Sequence, residues 1–216
     1  MAIEFDNATN GGLTNPGTSL TFSYTVGTGS DRILFVGVES NVAISGVTYA
    51  GTAMTLIDSS QNGTDLTAYL FYLIAPSTGA NNVVISAGSS GVIGGHASSY
   101  KGAKQSGVPD STAKNTVNNN ATYSISTTTV ADNSWVVGYA RESAGRLMTA
   151  SAGTTMRAEV DDGHGKHMFD SGGAVTPAGV KTLGGTIANA ANWAGVVASF
   201  APAVAASTNS NFFQFM

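Results

Sequence analysis

The chain has 216 residues, no cysteine, 10% charged residues and a net charge of -4; this length can bury a sizeable core, while disulfides, thiolate nucleophiles and cysteine-based zinc sites are excluded. Its nine scattered lysines and arginines do not form the clustered basic surface that phosphate binding needs, so nucleic acid is not an expected partner. No apolar run approaches the roughly 20 residues that span a bilayer, and MAIEFDNATNGG at the start lacks the basic and apolar regions of a secretory signal, so the expectation is synthesis in a cytoplasm with no membrane partner.

Taken in chain order, the dominant pattern is period-two alternation in short β-branched or aromatic runs punctuated by Gly, Asn and Ser. AIEF, SLTFSYTV, RILFVGVE, AISGVTYAG, AMTLID, LTAYLFYLIA, NNVVISAG and GVIGGHASSY read as strands. The polar stretch KGAKQSGVPDSTAKNTVNNN, residues 101–120, reads as a long excursion or linker. Strands resume with TYSISTTTV, SWVVGYARE, LMTASAG, TTMRAEV, KHMFDSG, VKTLGGTI and WAGVVASFAP. No segment keeps a 3.6-residue apolar period, and GGTIANAANWAGV is too rich in Gly and Asn for a helix. The expected class is all-β.

The two halves answer one another. RILFVGVES is echoed by SWVVGYARES, YAGTAM by SAGTTM, and HASSYKGA by VVASFAPA, each about a hundred residues later. This order points to a diverged duplication, with half-units at about 19–103 and 122–203, a polar crossover at 104–121, and a tail at 204–216.

EVDDGHGKHMFD, Glu159 to Asp170, gathers carboxylates and two histidines. Asp161, Asp162 and His164 are its weak metal candidates, but the spacing matches neither an EF-hand nor a zincin helix. The same place in the first half-unit is strand, polar turn, strand, so a solvated hairpin loop is expected, with no metal. In an extended KHMF, Lys166 and Met168 share one face, and His167 and Phe169 the other. His96, in a strand dense in Gly and Ala, reads as a structural histidine; Ser98 and Ser99 beside it lack a nucleophile elbow, and no catalytic residue is expected. Trp135 and Trp193 offer sugar-stacking faces, although their apolar surroundings favour the core.

The succession SLTFSYTVGTGSDRILFVGVES, VTYAGTAMTLI, LFYLIAPSTGANNVVIS and STTTVADNSWVVG resembles a family of bacterial and phage β-sandwich modules similar to the concanavalin A-like jelly rolls. The resemblance implies a jelly-roll-like antiparallel β-sandwich built from two similar half-units. The last fourteen residues run from an Ala/Ser/Asn spacer into Phe212, Phe213, Phe215 and Met216. These are the candidate assembly residues, a docking peptide for a neighbouring subunit; a strand folded back on its own domain is the plainer reading. Together these features resemble phage virion structural proteins. The expectation is a non-enzymatic capsid decoration protein on the virion surface, without cofactor, homo-oligomeric, and partnered with the major capsid protein or other virion subunits. The alternatives are a carbohydrate-binding module, with a glycan as partner, or a fibre or adhesion subunit.

Overall fold

A strand whose residues are apolar at both parities must be covered on both faces, and two such strands organise this protein. The computed structural model describes residues 1–63 and 67–204, and among them no helix forms. The first half contributes β1 (Glu4–Val26), β2 (Ile33–Ser40), β3 (Ile44–Tyr49), β4 (Thr52–Ala53), β5 (Thr55–Gln61), β6 (Thr67–Ile74) and β7 (Gly79–Lys101). The second contributes β8 (Ser111–Thr128), β9 (Trp135–Glu142), β10 (Thr149–Ala150), β11 (Thr155–Asp161), β12 (Gly165–Asp170) and β13 (Val180–Phe200). Among the described residues all pairings between named strands are antiparallel and stay within one half, giving a seven-stranded and a six-stranded sheet. The architecture is an all-β sandwich of two half-units.

The duplication extends to the irregularities of the sheets. In the first half β5, β6, β2, β7 and β1 lie side by side; in the second, β11, β12, β9, β13 and β8 do. Both outer hairpins carry one extra residue at the same place, Ile57 between Leu56 and Asp58, and Arg157 between Met156 and Ala158. Each long strand pair also turns the same corner. Gly17 and Ser19 of β1 face Gly91 and Ser86 of β7, while Asn120 and Thr122 of β8 face Ala191 and Thr186 of β13. Bulges that bend a strand are how a sheet curls over its own face.

That curl produces three apolar clusters. Leu34, Val36 and Val38 of β2 meet Leu20, Tyr24, Val47 and Ile85, closing the first half on itself. Val136 and Ala140 of β9 meet Tyr123, Leu183 and Trp193, closing the second. The opposite faces, Ile33, Phe35, Leu70 and Tyr100 from one half and Trp135, Val137, Tyr139, Met168 and Phe200 from the other, form the layer between the halves. A large apolar side chain fully removed from water contributes about 1.5–3 kcal/mol, so this shared layer is a major stabilising element. Outer strands of opposite halves also meet, β5 with β8 and, equivalently, β1 with β11. Exchanging the halves maps each contact onto the other, the mark of a pseudo-two-fold.

One expectation is corrected. The polar crossover at 104–121 is not a linker throughout, because from Ser111 it is strand β8, paired along β13. Its Thr, Lys and Asn residues alternate outward because β8 has only one strand neighbour, and charged or polar side chains are what an outer strand tolerates. The first long strand of each half, β1 from Glu4 and β8 from Ser111, runs through its corner and begins ahead of residues 19 and 122.

Candidate functional site

Most of the ionisable side chains that the fold withdraws from water lie in the layer between the halves. On β2, the parity that sends Ile33 and Phe35 into this layer also sends Glu39 there; on β9, Trp135, Val137 and Tyr139 bring Arg141; on β12, Met168 brings Lys166 and Asp170. Glu39, His96, Lys166 and Asp170 are fully buried and Arg141 is 1% exposed. The pairing registers make Gly37 the counterpart of Tyr139 and Glu39 that of Arg141. An exact two-fold would set like against like, whereas here glycine receives tyrosine and the counterpart of a carboxylate is a guanidinium.

At one end of the layer, Lys166 Nζ lies 3.0 Å from Glu39 Oε1 and pairs more closely with Asp162 Oδ1. The Glu39 contact is a charge contact outside hydrogen-bonding geometry. Gly94 makes the space for it, because a Cβ there would sit 2.8 Å from Glu39 Oε1 and 3.0 Å from Lys166 Cδ. Burial pushes the Glu39 carboxyl up despite the opposing pull of Lys166. Tyr139 is raised well above the ordinary phenol range by burial, with Glu39 adding to the effect.

At the other end, Asp170 accepts hydrogen bonds from Tyr100 Oη at 2.7 Å, Arg157 Nε at 2.6 Å and the Gly172 amide at 2.7 Å. The Arg157 guanidinium lies 4.0 Å from the centre of the Phe5 ring, a cation–π contact that ties β11 to β1.

His96 lies between these ends, its ring 6.0 Å from that of Tyr139. Burial holds its pKa down to about 3, with Lys166 and His167 acting in the same direction. Because the folded value lies below the unfolded value of about 6.5, the unfolded chain binds a proton that the folded one refuses, and stability falls as pH drops from about 6.5 toward 3. This residue is expected to remove about 2 kcal/mol between pH 7 and pH 5. His96→Leu should flatten the pH dependence of urea-unfolding free energy by that amount; parallel curves for the two proteins would contradict the assignment.

The stretch read as a solvated hairpin divides in two. Asp161, Asp162 and Gly163 are exposed at the turn, but Lys166, His167 and Asp170 are fully buried on the strand that follows. The facing read from alternation is observed, with Lys166 and Met168 toward the first half and Phe169 toward the core of the second. His167 Nδ1 faces Glu159 Oε2 at 3.5 Å, and its ring stands edge-on to Tyr123. The His167 imidazole beside it lowers the Glu159 pKa against the effect of burial. Asp162 is engaged by Lys166, and among the described residues no three His, Asp or Glu side chains gather as metal ligands.

Both tryptophans are core residues. Trp193 stacks on Tyr123 with ring centres 4.7 Å apart, and Trp135 meets Tyr100 edge-on. Every aromatic residue among those described is buried or half-buried, so none is fully exposed. Among the described residues grooves open elsewhere, one of them, of about 230 Å³, beside Glu4, Gly29 and Lys101. A second, of about 390 Å³, is polar and runs between β5 and β8, lined by Ser59, Ser60, Gln61, Lys114, Asn115 and Thr116. A third, of about 500 Å³, is bordered by Met1, Ile3, Trp135, Ala174 and Pro202. The assembly candidates Phe212, Phe213, Phe215 and Met216 lie outside the described residues.

Compared with known proteins, the chain matches no family model, no curated protein and no solved structure.

Proposed function

We propose that this chain is a non-enzymatic structural protein of a phage virion, a capsid decoration protein of jelly-roll type. It attaches through exposed strand edges and through the aromatic segment Phe212, Phe213, Phe215 and Met216. The observation that carries this reading is where the chemistry sits. Glu39, His96, Lys166 and Asp170 are fully buried in the seam between the halves, and none of them lines the grooves found among the described residues. They serve cohesion of the body, as expected for a part that must remain rigid.

The outward faces fit the same role. β8 presents Thr112, Lys114, Thr116 and Asn118 to solvent, a hydrated and nearly neutral surface that disfavours indiscriminate pairing. With β5 against β8 and β1 against β11, the short end strands β4 and β10 are the edges to which main-chain groups of a capsid subunit would add. Lectin-like binding is the weaker reading, since both tryptophans are buried and no aromatic residue among those described is fully exposed. Co-sedimentation of the purified chain with capsids of its source phage tests the proposal.

A further inference from the structure

We propose that Lys166 and Glu39 form an intramolecular isopeptide bond that joins the second half of the protein covalently to the first, with Asp162 as the base. The proposal stands on geometry and burial and is independent of the virion reading.

Three features put these groups in a reactive arrangement. First, Lys166 and Glu39 have no side-chain exposure, and the amine lies 3.0 Å from the carboxyl without donating a regular hydrogen bond to it. The carboxyl carbon, one C–O bond beyond Oε1, is therefore close to the amine, whose regular hydrogen bond goes to Asp162 instead. Second, Asp162 touches the same nitrogen and is 26% exposed, so it can accept a proton and pass it to water. Third, the surroundings favour a neutral product. Tyr139, Gly94 and the apolar layer lie against the pair, and buried charges seldom recover the cost of their removal from water. The upward shift of the Glu39 carboxyl by burial agrees, since the acid form, unlike the carboxylate, accepts a nucleophile.

The step balances without a co-reactant. Asp162 takes one proton from the Lys166 ammonium. The freed lone pair attacks Cδ of the Glu39 carboxylic acid, a C–N bond forms, and one C–O bond breaks. The departing hydroxyl takes the second nitrogen proton and leaves as water. One proton remains on Asp162 and is released to solvent, and no electrons are exchanged. In a chain without cysteine, the bond does what a disulfide between the halves would do, constraining the unfolded chain.

The test is the mass of the purified full-length protein under denaturing conditions, followed by tryptic mapping. The expected mass is one water below that of the sequence, with a branched peptide joining the segment that contains Glu39 to the one that contains Lys166. Lys166→Arg should restore the full sequence mass. A wild-type mass equal to the sequence overturns the proposal. So does a branched peptide joining Lys166 to Asp162, or a water loss that survives in Lys166→Arg and is reversed by mild alkali, which would mark a succinimide at Asp162–Gly163. If the arginine variant does not fold, the wild-type peptide map still decides.

Discussion

Gly37→Ala is expected to destabilise the protein by about 3 kcal/mol, at the upper end of what one added methyl costs in a packed core. A Cβ at this position would lie 2.1 Å from Tyr139 Cδ2 and 2.3 Å from its Cγ. The ring has little room to yield, because Tyr139 is fully buried between the halves and stands beside His96. The effect should appear as a lower urea midpoint with an unchanged denaturant slope. Combining Gly37→Ala with Tyr139→Ala should cost less than the sum of the two single changes, because the second removes the clash that the first creates. Additive losses would mean that glycine is not there to receive the ring.

Asp170→Ala should cost about 3–5 kcal/mol, the range for breaking a buried charge pair from one side. The change leaves the Tyr100 hydroxyl and the Arg157 guanidinium without the acceptor that now serves both, and it releases the amide of Gly172. Tyr100 makes the loss severe, since its ring also packs against Phe35, Trp135 and Phe200. Asp170→Asn keeps the shape and one acceptor oxygen and should lose less. Thermal unfolding of the three proteins orders them: wild type, asparagine, alanine. An alanine variant as stable as wild type would show that the carboxylate does not hold this end of the layer.

The elements most legible in the sequence were those covered on both faces. ILFVGVES and WVVGYARE are almost continuous apolar runs because each sends one parity into its own half and the other between the halves. The long strands were harder to read as units. SAGSSG in β7 and TIANAA in β13 look like breaks, yet they are the corners through which one strand continues. β8 was missed from Ser111 to Asn120 because a strand with one neighbour and a half-buried inner face carries a weak apolar signal. The duplication was visible in the sequence, although the structural register aligns Ile33 with Trp135, so Glu39 answers Arg141 and not Glu142. A one-residue slip exchanges the two faces of a strand, and Glu142 in fact turns to bind the amides of Ala144 and Gly165.

The buried charges were the least legible part. KHMFD alternates like a half-solvated strand, and nothing local shows that Lys166 will meet Glu39, a residue of the other half. The available clue was at long range. Glu39 and Arg141 each end an otherwise apolar run at equivalent places in the two halves, and a charge that continues the buried parity of its strand needs a charged partner in the same layer.

The structural role is tested most directly by incubating the full chain, and a version ending at Ala203, with capsids of the source phage and sedimenting the particles. The account predicts saturable binding of the full chain at a fixed number of copies per capsid, with weaker binding once the aromatic segment is removed. Failure of the full chain to sediment with capsids at saturating concentration would contradict it.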